Sequence, residues 1–281
     1  MSEQRDIIWT DDKIRWTEDN DKLSNTGGEK EEEEVEECAF IDPFKDPDPF
    51  ETFCFNYCNE DNHSVEVSVR GYKTEADAVW QSTGLTLWQA SNHLCRYMVD
   101  HRDMFHEKRI LELGAGLGLC GILAHHLGRN CTVYITDGDS DALVHLRKNV
   151  KLNQQKVGAS ASADDKRMVT AAQLLWGQDT TEMFLEKHEE SVQTFDMLIA
   201  SDIIYALVIV EPLWETVKLL LRKSKEAVFI MAYAKRDVPV TIDMVLEAAG
   251  TAGFSHALVD ENPEGIWVYE FRWKEEMVVI L

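Results

Sequence analysis

Positive charge is what this 281-residue chain has least of. Only 28 lysines and arginines stand against 51 aspartates and glutamates, a formal net charge of −23. Such a surface repels a phosphate backbone, and no stretch interleaves basic with aromatic residues, so a nucleic-acid substrate is excluded and basic protein segments are attracted instead. Cysteine is sparse as well. The six, at 38, 54, 58, 95, 120 and 131, form no C-x-x-C pair. That argues against a zinc ribbon or a disulfide framework and suits reduced thiols in a cytosolic or nuclear protein. No apolar run reaches the ~18 residues of a membrane span. The stretch from Met1 to Trp16 is too acidic and interrupted to be a secretory signal. The expectation is a cytoplasmic protein, with the nucleus also open to it, monomeric and without membrane contact.

The acidic excess is uneven. The first fifty residues hold 17 acids and 6 bases, a net of −11. They include an acidic run from Glu29 to Glu37 and a proline-punctuated stretch from Asp42 to Phe50. Residues 1–50 therefore read as an acidic, mostly disordered arm, either a solubilising tail or a recruiter of a basic partner. Within it, Ile7-Ile8-Trp9 and Ile14-Arg15-Trp16 are too apolar for a plain tail and point to docking segments. Residues 51–281 read as one domain.

In that domain Phe53–Tyr57 and Val65–Val69 alternate apolar with polar residues around turn formers at 59–63, the pattern of a β-hairpin. Helical spacing follows over Leu85–Met98. Strands and helices then alternate: strand 109–113, helix 117–127, strand 131–136, helix 140–151, strands 168–174 and 195–200, helix 209–222, strand 227–232, helix 240–251, and strands 254–260 and 266–273. The segment from Gln154 to Lys166 is small and polar, a loop. Alternation of this kind gives an α/β fold, a Rossmann-like seven-stranded, mostly parallel sheet with an antiparallel last strand, plus the N-terminal β-hairpin.

The densest signal is Arg109–Leu113, a short buried strand, breaking into Gly114-Ala115-Gly116-Leu117-Gly118 before an apolar helix. Glycine lets such a turn take positive φ and lets a ligand reach bare main chain at a helix N-terminus. A dinucleotide fingerprint needs G-x-G-x-x-G. Here the third slot is Leu119, which disfavours a nicotinamide-dependent oxidoreductase. With Glu112 two residues before Gly114, the spacing is similar to motif I of methyltransferases that use S-adenosylmethionine (SAM). The next strand ends in Asp137, whose carboxylate can accept hydrogen bonds from both hydroxyls of a ribose. A third strand runs through Ser201 into Asp202 and Tyr205. In an open α/β sheet the ligand crevice lies beyond the carboxyl ends of the strands, so Gly114, Asp137, Asp202 and Tyr205 should share one crevice. Asp202 taken alone could cap a helix, and Tyr205 could be a half-buried packing residue. Trp176 could cover an adenine or pack in the core, as could Trp88 on the helix before the glycine strand.

Taken together, Thr86-Leu87-Trp88-Gln89-Ala90, Leu111-Glu112-Leu113-Gly114-Ala115-Gly116, Ile135-Thr136-Asp137, Leu175-Trp176-Gly177 and Ser201-Asp202-Ile203-Ile204-Tyr205 resemble methyltransferase family 16. This is the seven-β-strand group with a D-x-x-Y motif, many of whose members are protein-lysine methyltransferases. Tyr233-Ala234-Lys235-Arg236 resembles a further recurring segment, and the Phe53–Val69 hairpin resembles the N-terminal hairpin of those enzymes. The resemblance covers roughly residues 50–275. It implies that Trp88, Glu112, Gly114, Ala115, Gly116, Asp137, Trp176 and Ser201 hold SAM, and that Asp202 and Tyr205 border the substrate channel as catalytic-site residues. It implies no metal.

The expected reaction is transfer of a methyl group from SAM to a lysine side chain of a protein substrate, possessed of a basic surface if charge guides the encounter. Free lysine has a pKa of about 10.4, and a carboxylate beside it favours the ammonium form. Asp202 is thus expected to bind and orient the lysine rather than to act as a base. Methylation of protein histidine or of a small amine, and a non-catalytic SAM-binding adaptor, are the alternatives. The paired imidazoles of His125 and His126 suit a helix C-terminus, Trp267 and Trp273 read as packing residues, and Arg236 as a member of a surface ion pair, with a contact to a substrate carboxylate as the alternative.

Overall fold

The computed structural model describes residues 5–10, 13–16, 48–58, 64–73, 83–157, 166–188, 194–236 and 238–278. Two apolar segments of the acidic arm are strands, β1 (Arg5–Thr10) and β2 (Lys13–Trp16), paired with each other. β1 also pairs in parallel with β3 (Phe50–Cys58), at Arg5 with Phe53 and Asp6 with Cys54. β3 and β4 (Ser64–Tyr72) form the expected antiparallel hairpin, with Phe53 opposite Val69 and Phe55 opposite Val67. Its turn at 59–63 lies outside the described residues, as does the acidic run.

The main sheet has seven strands: β5 (Arg109–Leu113), β6 (Thr132–Asp137), β7 (Met168–Gln173), β8 (Met197–Ser201), β9 (Val228–Ala234), β10 (Phe254–Glu261) and β11 (Ile266–Trp273). Their order across the sheet is β10-β11-β9-β8-β5-β6-β7. β7, β6, β5, β8 and β9 run parallel, and β11 inserts antiparallel between β9 and β10. Period-two side-chain alternation divides the core between the two faces. Ile110, Ile135, Ile199 and Ile230 lie on one face, and Leu111, Leu113, Leu198 and Phe229 on the other. Both faces are covered, so these strands are near-continuous apolar runs rather than half-polar ones.

The helices α1 (Gln89–Asp100), α2 (Leu119–Leu127) and α3 (Ser140–Val157) belong to the first face. α4 (Gln178–Lys187), α5 (Val210–Leu220) and α6 (Ile242–Ala252) belong to the second. α2 is buried along nearly its whole length, as expected for a helix apolar all round, because β4 packs on its outer side. α4 escapes sequence reading because it buries only Thr181 and Phe184 and leaves Met183 exposed. α3 runs six residues past the predicted 151, to Val157. Its inward positions there are polar, so apolar periodicity fails where the helix continues. Residues 158–165 of the predicted loop lie outside the described residues.

Those polar positions are Asn149 and Asn153, which bind β4 as a neighbouring strand would. Asn153 accepts from the Ser68 amide at 3.0 Å and donates to the Ser68 carbonyl at 2.7 Å. Asn149 accepts from the Arg70 amide at 2.8 Å and donates to the carbonyls of Arg70 at 3.2 Å and Leu117 at 3.0 Å. Four helical residues rise ~6 Å and two strand residues about 6.6 Å, so the spacings match. The hairpin is thereby fastened to the glycine loop. Asn149→Ala should leave the Arg70 amide and the Leu117 carbonyl without this partner and destabilise the protein by about 1–3 kcal/mol. The expected result is a lower urea midpoint at unchanged denaturant slope.

Candidate functional site

β5 ends in a loop stitched to the tip of β6. The Ala115 amide donates to the Thr136 carbonyl at 2.9 Å, the Thr136 hydroxyl to the Glu112 carbonyl at 2.6 Å, and the Gly116 amide to Asp137 Oδ2 at 2.7 Å. Glu112 is buried, and its Oε2 accepts from the Gly121 amide in the first turn of α2 at 2.8 Å. Burial raises its pKa well above the ordinary carboxylate value. Its carboxylate thus braces the turn between β5 and α2.

The loop needs glycine at two points. Gly114 and Gly116 have φ of 60° and 52°. A Cβ at Gly116 would lie 2.8 Å from the Gly84 carbonyl oxygen, and one at Gly114 would lie 2.8 Å from Ile203 and 3.2 Å from the Trp176 ring.

A cavity of about 530 Å³ opens beyond the carboxyl ends of β5, β6 and β8. All ten residues singled out in the sequence line it: Trp88, Glu112, Gly114, Ala115, Gly116, Asp137, Trp176, Ser201, Asp202 and Tyr205. Asp137 Oδ1 accepts from the Asp139 amide at 2.9 Å, beside the Gly116 contact to Oδ2. A carboxylate offers about four acceptor sites, and the amides of Gly116, Asp139 and Gly138 do not exhaust them, which leaves capacity for a ribose hydroxyl. Burial raises the Asp137 pKa while these amides oppose the rise. The Ser201 hydroxyl faces the Cys120 thiol at 3.8 Å, and that thiol lies 3.8 Å from Cys95. Trp88 is not on α1 but immediately precedes it, in extended conformation, because the helix starts at Gln89.

Sequence reasoning missed Thr86. Its buried hydroxyl borders the cavity and has no hydrogen-bond partner, a polar atom left for a ligand. A bare-backbone loop, a diol acceptor and an unused hydroxyl fit the nucleoside and amino-acid parts of SAM.

Asp202 is no helix cap. It follows β8 directly, with φ of 59°, and its amide donates to the Ala232 carbonyl at 2.9 Å. The next helical turn, Leu207–Ile209, starts well beyond it. The Asp202 side chain is 2% exposed. Burial pushes its pKa up to about 6, against the opposing effects of the Arg236 charge and the Ala234 amide.

Arg236 is not in a surface pair. It ion-pairs with Asp202 inside the crevice and lies over the Trp88 ring, its Cζ 4.4 Å from the ring centroid. Its place just past the end of β9 was the available signal, by the same strand-end rule that selected Asp137. Tyr205, 54% exposed, stands at the mouth with Leu175, and the exposed Leu207 and Val208 follow on the adjoining turn. Among the described residues, no group of three or more His, Cys, Asp or Glu is placed to hold a metal ion. Trp267 and Trp273 do pack, on Tyr233 and Phe254 respectively.

Fold and site together define an α/β protein with a nucleoside-type crevice at the strand tips and an acid, a phenol and a guanidinium at its opening. The chain belongs to the lysine methyltransferase family, whose sequence model matches residues 73–243. It is 28% identical over 193 residues to protein-lysine N-methyltransferase EEF2KMT of Homo sapiens, covering 67% of this chain and 56% of that protein. It is 24% identical over 187 residues to calmodulin-lysine N-methyltransferase of Arabidopsis thaliana, covering 66% and 56%. It is 32% identical over 146 residues to protein N-lysine methyltransferase METTL21A of Xenopus tropicalis, covering 51% and 55%. The matched segment thus spans little more than half the length of these relatives. No helix among the described residues is long and apolar enough to cross a membrane.

A carboxyl whose pKa is raised on folding contributes stability below its unfolded value and loses it as pH rises through the folded value. For Asp202 that window runs from the ordinary value of 3.8 to about 6. Asp202→Asn keeps a side chain tolerant of positive φ and removes the buried charge. Its stability relative to the parent should rise by on the order of 2 kcal/mol between pH 4 and 7, as measured by urea unfolding at each pH.

Proposed function

We propose that this protein transfers a methyl group from SAM to the lysine side chain of a protein substrate. The observation that carries the reading is one crevice holding two sets of groups. One is a nucleoside cradle formed by Gly114, Gly116 and Asp137. The other is the acid and phenol of Asp202 and Tyr205, which line the same cavity. The lysine relatives and the family support the acceptor, and the overall charge of −23 favours a basic protein surface. A cytoplasmic or nuclear location accords with cysteines that, among the described residues, form no disulfide.

When bound, SAM supplies an electrophilic methyl carbon on a sulfonium. The Asp137 carboxylate and the Thr86 hydroxyl would hold its polar ends, with the glycine loop as a bare wall beside them. The Trp88 and Trp176 rings wall the site. Asp202 accepts a hydrogen bond from the incoming amine and fixes its direction, and Tyr205 lines the approach. Orientation of two bound reactants lowers such a barrier by several kcal/mol. The proton of the lysine leaves to water at the open mouth, since Asp202 is too weak a base to take it.

SAM should raise the melting temperature and NAD should not, because only a ligand of the native state stabilises it. Asp137→Ala should weaken SAM at least tenfold by calorimetry, the effect of losing charge-assisted hydrogen bonds. Asp202→Ala should cut label transfer from tritiated SAM to lysate protein by about 100-fold or more with SAM affinity retained. Acid hydrolysis should place the label on lysine; label on histidine or on free amines would redirect the assignment, and no label would leave a SAM-binding adaptor.

A further inference from the structure

A carboxylate that orients lysine also opposes methylation. An opposite charge within ~4–6 Å favours the ionised form of a group by about 1–3 pH units, so an uncompensated Asp202 would keep the bound amine as ammonium, without a lone pair. The crevice contains the remedy. Among the described residues Arg236 is the only cation lining it. Its guanidinium hydrogen-bonds Asp202 Oδ2 and rests on the Trp88 face, 4.4 Å from the centroid. Its side chain is 25% exposed and that of Asp202 2%, so the pair is screened from water on the Asp202 side. The carboxylate also accepts from the Ala234 amide, and its remaining acceptor sites are available to an amine.

We propose that Arg236 is a positioning residue that cancels the charge of Asp202, so that the carboxylate can direct the substrate amine without trapping it as ammonium. The inference rests on the lysine-methylation reading above and assigns a charge-compensating role to a residue outside its acid–phenol pair. Stacking on Trp88 fixes the guanidinium plane, and the strained Asp202 backbone fixes the carboxylate. The two charges therefore stay together while substrate enters.

Other ionisable groups do not substitute for Arg236. Tyr233, on β9, has its pKa raised by burial, against the opposing Arg236 charge, with Asp202 and Asp243 of α6 adding to the rise. It is a neutral phenol at working pH. Tyr205 stands at the mouth, and Glu112 and Asp137 lie across the cavity as acids. Loss of Arg236 thus leaves negative charge uncompensated at this end of the crevice.

The test compares Arg236→Gln and Arg236→Lys with the parent protein. The acceptor is the lysate protein that takes up label, and initial rates are read at saturating SAM from pH 7 to 10. Arg236→Gln should move the rising limb of the profile at least one unit upward. At pH 8 that is about a tenfold slower reaction, recovered by raising the pH. Arg236→Lys should restore the limb to within a few tenths of a unit. SAM affinity by calorimetry should be the same in all three. Without substrate, the pH window over which Asp202→Asn gains stability on its parent should extend further upward in the Arg236→Gln background, its lower edge staying near 3.8.

A rate loss equal at every pH, or a profile unshifted in Arg236→Gln, overturns the compensating role while leaving lysine methylation intact. Absence of label on lysine with the parent protein overturns both.

Discussion

The amide of Gly116 donating to Asp137 is the contact on which the rest of the crevice depends. It locks the loop after β5 to the tip of β6, and with the Ala115–Thr136 and Thr136–Glu112 bonds it sets the spacing of two strand ends to hydrogen-bond accuracy. Glu112 extends the same lattice into α2 through Gly121, and Asn149 extends it to the hairpin through the Leu117 carbonyl. A ligand entering there meets donors and acceptors already ordered by the fold, so little conformational entropy is lost on binding.

The opposite end of the crevice is built differently. Asp202, Arg236 and Trp88 come from three elements and are held by charge, stacking and burial rather than by main-chain lattice. Asp202 also has a left-handed backbone, a conformation that costs on the order of 1 kcal/mol or more. Ionising it inside the protein adds to that cost. These are debts of function, met by the surrounding sheet: β8 is paired on both sides and its residues Met197–Ala200 are buried. Rigid strands thus deliver a strained, charged residue to the crevice.

Much of this was legible in the sequence for identifiable reasons. β5, β6 and β8 are short apolar runs ending in glycine or aspartate, so both their existence and the location of the crevice follow from local pattern. The two tandem docking segments of the arm stood out because Ile7, Ile8, Trp9 and Ile14 interrupt an acidic background, and they pair as β1 and β2 beside β3. What escaped was long-range or polar. The Arg236–Asp202 pair joins residues 34 positions apart, and no local spacing announces it. Asn149 and Asn153 face inward where hydrophobic periodicity requires an apolar residue. α4 buries too small a face to register, and Trp88 was assigned to a helix that begins one residue later.

The positive φ of Asp202 reaches further than its own strain. A β-branched residue is a steric outlier there, and a longer acid would have to displace the guanidinium from its present contact with the carboxylate. The main chain, before any chemistry, restricts this position to a very short alphabet, so the size of the acid is dictated by the bend that follows β8. Freedom to vary lies instead in the solvent-facing turn beyond Tyr205, at the exposed Leu207 and Val208, which do not line the cavity.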